Sequence, residues 1–235
     1  MRINKYIAKS GITSRRKADE LVENGRVKVN GEIIKKLGYD VQEDDLVEVD
    51  EEKISLQKKY IYLIMNKPTG FVTTMSDEYE RPTVMDLIPD VEERVYPVGR
   101  LDMNTSGLLI FTNDGELANN LTHPSTHVNK KYKLLCNGIL NRNEVKILEK
   151  GVNIDGYKTS PCDIKIIKHF KASTMAEIII HEGKKRQIRR MFETIGHPVQ
   201  KLERIAIGDI KIGHMKQGLV RKLSDEEVRK LKENA

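Results

Sequence analysis

The sequence predicts a mixed helix-and-strand protein in two parts: a small front unit, then a larger α/β or α+β domain around one sheet. Three observations lead there. Within residues 1–50, apolar residues recur first at helical spacing and then at every second position. From Tyr60 onward, strand-length apolar runs alternate with helical patterns. Between the two the charge inverts: residues 1–38 carry ten Lys/Arg against four Asp/Glu, and residues 39–58 two against eight.

In the front unit Ile3, Tyr6 and Ile7 mark one face of a short helix, and Ala18, Leu21 and Val22 mark another. Ser10-Gly11 breaks the first helix, Ser14 can cap the second and Gly25 stops it. Val27 and Val29 then alternate with Arg26, Lys28 and Asn30, Asn30-Gly31 signals a hairpin turn, and Ile33-Ile34 resumes the strand. Val41, Leu46, Val47 and Val49 close a unit of roughly 55 residues, near the lower limit for folding alone. The linker is expected at 51–59, with the domain boundary at 58/59 and a second domain over 59–235.

In the larger part, strands are expected at 60–65, 71–75, 108–112, 132–136, 162–167 and 176–181. Helices are expected at about 83–88, 115–122, 141–150 and 184–195. A last helix over 225–233 opens on Ser224 with Glu227 three residues on, a capping box.

Hydrophobic content of 38% fits a soluble globular chain. No uncharged apolar run approaches a membrane span, and the N-terminus enters a helical pattern with no apolar signal core, so a cytoplasmic protein is expected. Cys136 and Cys162 form no CxxC pair and read as free thiols in strands. A net charge of +6 points mildly to a polyanionic partner. Ser14-Arg15-Arg16-Lys17 is more specific, because it sets three cations on a helix N-terminus, where the macrodipole disfavours them and free N–H groups suit phosphate. Arg2, Lys5, Lys9, Arg26 and Lys28 can extend that basic face. At 5% aromatic and without Trp, the chain is a poor candidate for a base-stacking platform.

The run 95–109, VYPVGRLDMNTSGLL, reads as a short strand ending at Gly99, a loop holding Arg100 and Asp102, then Gly107 and a second strand. Asp102 can be a positioned, ionised carboxylate beside an Arg, or simply the cap of an Asx-type turn. Ile188, Met191, Phe192 and Ile195 form a packed helical stripe, with Arg186, Arg189 and Arg190 on the other half and Arg189 at its edge. His181-Glu182 begins like a zinc motif, but position 185 is Lys, so no metal is expected.

The pattern RxNKYIAxSGxxSRRKADELVxxGRVxVNGE over residues 2–33 resembles the α-L RNA-binding domain of the ribosomal-protein-S-four type. GRLDxxTSGLLIFTNDGELANxLTHP resembles the signature of pseudouridine synthases that act on ribosomal RNA, in the branch carrying an α-L domain in front. Residues 66–70 (NKPTG), 81–84 (RPTV), 130–132 (KKY) and 181–191 (HEGKKRQIRRM) follow in the expected order. The resemblance implies an α+β fold with a mixed, mostly antiparallel central sheet flanked by helices. It implies Asp102 as the essential carboxylate, Tyr132 as the active-site tyrosine and Arg189 as the arginine that pairs with Asp102. Lys67, Arg100, Arg186 and Arg190 join the front basic residues as RNA contacts. No cofactor is implied. The expected partner is ribosomal RNA, a uridine in a structured stem-loop or assembling subunit, bound by a monomer. Gly107-Leu108-Leu109 and Thr122-His123-Pro124 lean towards large-subunit members. Asn129 departs from the family, which usually has an acid there. Two rivals stay open: a non-catalytic rRNA-binding or assembly factor, and a nucleic-acid hydrolase. A two-metal hydrolase would want a carboxylate cluster that the sequence does not display.

Overall fold

In the computed structural model, which describes residues 1–233, Asn30 and Gly31 both take positive φ, and the chain reverses there as the sequence signals. The turn joins β1 (Val27–Val29) to β2 (Glu32–Ile33) behind two helices, α1 (Ile3–Lys9) and α2 (Arg15–Glu23). Ser14 caps α2 by accepting from Lys17 N at 3.3 Å. β3 (Val47–Val49) and β4 (Glu52–Lys53) complete an antiparallel sheet in the order β2-β1-β3-β4. Ile3, Ile7, Ala18, Val22, Val27, Val29, Val41, Val47 and Val49 form its core. β4 falls where the linker was expected. Its hairpin turns on Asp50 and Glu51, both at positive φ without a glycine. Arg26 bonds Asp50 at 2.6 Å and Lys28 bonds Glu51 at 2.7 Å, so side chains fix a turn that the backbone signal does not announce.

The chain divides into two compact units. One comprises Met1–Ile61 with Asp90–Val95 and Asn113–Gly115, and the other comprises Tyr62–Pro89, Tyr96–Thr112 and the chain from Glu116 onward. The second unit is built on a nine-stranded sheet. Its path uses β5 (Tyr62–Lys67), β7 (Ser106–Thr112), β8 (Lys130–Asn137), β11 (Asp163–His169), β12 (Ser173–Ile180), β13 (Val199–Ile207) and β15 (Val220–Lys222). The order is β11-β12-β8-β13-β7-β5-β15, with β6 (Tyr96–Val98) also paired to β7 and β14 (Ile210–Lys211) to β13. Among the described pairs of this sheet only β13 with β7 is parallel, so it is mixed and mostly antiparallel, as the resemblance implies. β9 (Asn153–Ile154) and β10 (Tyr157–Lys158) form a separate hairpin. The helices are α3 (Gly115–Thr122), α4 (Arg142–Glu149), α5 (Gln187–Glu193) and α6 (Asp225–Glu233). Leu117 and Leu121 of α3 and Leu231 of α6 pack with Ile64, Leu108, Ile110 and Ile207 of the sheet. Ser224 and Glu227 form the expected capping box. No helix among the described residues is long and apolar enough to cross a membrane.

Several sequence readings change. Residues 71–75 are not a strand, since only Val72 bridges, to Thr83. That stretch serves the loop before β7 instead of a ladder. The helix expected at 83–88 is a 3-10 turn, Val84–Leu87. Helix α5 starts at Gln187 because Arg186 adopts the left-handed conformation, φ 54°. The long central strand β13 was not foreseen. Irregularities at 199/201 and 204/206 break its period, and a buried arginine sits at one of its core positions. Both cysteines are buried free thiols, but Cys162 precedes β11 instead of lying within it.

The parallel contact imposes one glycine. Gly107 has φ 112°, and a Cβ there would lie 2.3 Å from the Arg204 carbonyl oxygen and 2.5 Å from its nitrogen. Neither neighbour is a flexible side chain. Gly107→Ala is expected to destabilise the chain by about 3 kcal/mol or more, read as a lower urea midpoint at unchanged slope. A midpoint equal to wild type would sink this account of the contact.

Candidate active site

The loop between β6 and β7 presents Asp102, and it is held by its backbone. Five consecutive carbonyls, 101 to 105, each accept a hydrogen bond. Thr73 Oγ1 donates to Leu101 O at 2.7 Å, and Lys67 Nζ to Asp102 O at 3.2 Å and Thr105 O at 3.0 Å. Gly70 N donates to Met103 O at 2.8 Å, and Arg189 Nη2 to Asn104 O at 2.8 Å. The Asp102 carboxylate accepts no hydrogen bond and joins no ion pair among the described residues. This removes the Asx-turn alternative, because the side chain caps nothing. It lines a cleft of about 410 Å³ together with Arg100, Tyr132, Lys130, Arg186 and Arg204.

Tyr132 stands on β8, 7% exposed, opposite Ile178 of β12 and Arg204 of β13. The catalytic expectation for Asp102 and Tyr132 therefore has both residues on one cleft. Arg189 differs from its expected place. It is buried, its Nη1 donates to Val199 O at 2.8 Å and its Nη2 to Asn104 O, and it does not reach the Asp102 carboxylate. Burial and then Arg186 push its pKa down, against the pull of Asp102. Arg189 ties the loop to the start of β13 and supplies positive potential beneath Asp102, without a direct bond.

Lys67 is a correction. It was read as an RNA contact, but it is fully buried, and its ammonium donates to Pro68 O, Asp102 O and Thr105 O, so no phosphate can meet it. Burial pushes its pKa down to about 8, opposed by Asp102. The unfolded chain therefore binds a proton there that the folded chain has lost, between about pH 8 and the ordinary lysine value of 10.5. Across that window the penalty of the buried charge is relieved and stability at this site rises with pH. Compared with Lys67→Met, wild type should gain on the order of 1–3 kcal/mol between pH 7.5 and 10, measured by urea unfolding of both proteins. Parallel stability curves would reject the shift.

The other expected RNA contacts divide. Arg15, Arg16 and Lys17 are exposed, and none joins an ion pair among the described residues; Arg2 and Lys5 are exposed as well. Arg26 and Lys28 instead hold the Asp50-Glu51 turn. Arg100 is exposed at the cleft, and Arg186 lines it. Arg190 pairs with Asp155. Asn129 is exposed and its carbonyl accepts from Gly208 N at 2.8 Å, so its backbone serves the sheet whatever its side chain. Sequence reading missed Thr73 and Arg204, and gave Lys130 no role beyond its place in the 130–132 motif. For Arg204 a signal existed: an arginine in step with apolar Leu202 and Ala206.

Residues 61–194 match the family model for RNA pseudouridylate synthase, and residues 1–47 match the S4 domain. The chain is 43% identical over 233 residues to an uncharacterized RNA pseudouridine synthase of Aquifex aeolicus, covering 98% of this chain and 93% of that one. It is 39% identical to ribosomal large subunit pseudouridine synthase B of Bacillus subtilis, covering 98% and 95%. A pseudouridylate synthase crystal structure superposes with a TM-score of 0.72 at 27% identity, covering 98% and 99%. An Asp102 carboxylate left free in a cleft it shares with a buried tyrosine, in a chain whose residues 1–47 match an S4 domain, thus belongs to a member of the RNA pseudouridine synthase family, an enzyme that isomerises uridine in RNA.

Proposed function

We propose that the chain isomerises uridine in 23S rRNA, as a cytoplasmic monomer, with residues 1–58 gripping RNA and residues 59–235 carrying the chemistry. The observation that carries the catalytic reading is the Asp102 carboxylate, without a hydrogen bond or ion pair among the described residues, on a loop whose five carbonyls are all held. Such a loop fixes the carboxylate before substrate arrives, so little reorganisation is left for the reaction. The large-subunit assignment is supported by the name of the Bacillus subtilis relative and by its coverage of both chains.

The chemistry moves the glycosidic bond of uridine from N1 to C5. Asp102 acts on the ribose, Tyr132 stacks on the uracil and assists departure of the C5 proton, and Arg189 positions the Asp102 loop. The base must be flipped out of its stack to enter the cleft, where exposed Arg100 and half-buried Arg186 meet the strand. The test is tritium release from 23S and 16S rRNA transcripts carrying [5-³H]uridine. Release from 23S alone is expected. Release from 16S alone would overturn the subunit assignment, and release from neither would overturn free rRNA as substrate.

A further inference from the structure

Arg204 of β13 lies directly opposite Tyr132 of β8 in an antiparallel pair. Opposed residues of such a pair share a face, so Arg204 is on the face that presents Tyr132, and it lines the same cleft. It is 3% exposed. Its Nε donates to Leu108 O at 2.8 Å, its Nη2 has no partner, and it joins no ion pair among the described residues. Lys130, on the same strand as Tyr132 and lining the same cleft, donates among the described residues to the carbonyls of Val128 at 3.1 Å and His181 at 3.4 Å. Burial and the charge of Arg204 both lower the Lys130 pKa, and the two cations line the same cleft.

Two carboxylates line this cleft, Asp102 and Glu182. Glu182 is engaged by Ser160 N and Gln187 Nε2. A buried guanidinium with one protein hydrogen bond and no ion pair among the described residues is costly, and a ligand that brings negative charge offsets the cost. Depth decides which part of the RNA this is. Phosphates stay with the strand at the mouth, where Arg100 and Lys185 are exposed, whereas Arg204 is buried beside the ring that stacks the base.

We infer that Arg204, supported by Lys130, is a catalytic residue that binds a uracil carbonyl oxygen and stabilises the negative charge gathering there as the glycosidic bond breaks. The inference rests on the isomerisation assigned above. When C1′–N1 breaks, its electron pair leaves with the base and spreads onto O2 and O4. Asp102 meets the demand at the ribose, by bonding C1′ or by taking the C2′ proton so that the C–H pair closes onto C1′. The base turns, C5 bonds to C1′ as Asp102 is released or the C2′ proton returned, and the C5 proton is lost while N1 gains one. No oxidant or further reactant is required. A cation fixed at the carbonyl oxygen lowers the barrier because it meets a charge that is larger in the transition state than in uridine.

The test compares leaving groups in single-turnover reactions at saturating enzyme, using the rRNA transcript on which wild type releases tritium. That choice separates a wrong RNA from a wrong Arg204. One transcript carries [5-³H]uridine. The other carries 5-fluorouridine, whose more acidic base needs less help to depart, and base transfer is read by mass spectrometry of the digested nucleosides. Arg204→Met is expected to slow the uridine reaction about a hundredfold while RNA affinity stays within about threefold. On 5-fluorouridine the loss should shrink to about tenfold or less. Arg204→Lys, which keeps a cation, should recover part of the rate, and it carries the same comparison if Arg204→Met does not fold. Equal losses on both transcripts would make Arg204 structural. A loss confined to affinity would make it a phosphate contact. Either result overturns the inference.

Discussion

Asp102→Asn is expected to lower single-turnover isomerisation by about four orders of magnitude, about 5.5 kcal/mol in barrier, while leaving fold and RNA affinity in place. The separation follows from the geometry. The side chain makes no hydrogen bond among the described residues, and the loop is held through carbonyls that the substitution does not touch. The loop should therefore keep its shape, and the stability cost is set by the lost attraction to buried Lys67 and Arg189, on the order of 1 kcal/mol. Turnover within tenfold of wild type, in a folded variant, would remove Asp102 from the mechanism.

The second large effect is expected at the front unit. Arg15, Arg16 and Lys17 crowd the first turn of α2, exposed and outside any ion pair among the described residues. The helix dipole makes that the unfavourable end for cations, at about 0.3–1 kcal/mol each. Replacing all three with Ala should raise helix stability slightly while weakening rRNA binding about 10- to 100-fold near physiological salt. The slope of log K against log salt should flatten by about two to three units if each cation meets a phosphate. Rising stability with falling affinity is a pairing that simple damage to the fold cannot produce. The check is binding of an rRNA fragment across a salt series beside thermal unfolding. Wild-type affinity and slope in the triple variant would show that α2 is not the grip.

Much of this molecule is legible in its sequence because local patterns and tertiary packing agree. Ile3/Ile7 and Ala18/Val22 announce the faces that α1 and α2 bury, and Asn30-Gly31 places its turn. The α+β class and the family are carried by contiguous motifs, and the structure bears both out. What stayed hidden depends on contacts far apart in sequence. β13 lies at the centre of the sheet, yet two irregularities and an inward arginine spoil its alternation. Residues 71–75 look like a strand, but the extended backbone serves to bring the Thr73 hydroxyl to Leu101. Lys67 looked like a surface cation because lysine usually is one, and only the fold reveals three carbonyls waiting for it. The Asp50-Glu51 turn lacks a glycine, so its signal lies in Arg26 and Lys28, more than twenty residues earlier.

The clamped loop separates two kinds of information that enzymes often store together. Its shape is written in donors elsewhere in the chain, Lys67, Gly70, Thr73 and Arg189, while Met103 and Asn104 at its exposed tip give only backbone to that shape. The tip is therefore free to drift in sequence, acquiring side chains that suit one RNA neighbourhood or another, without moving the carboxylate beside it. A lineage could retarget such an enzyme by editing two letters next to its reactive group, where in most active sites the same edits would disarm it.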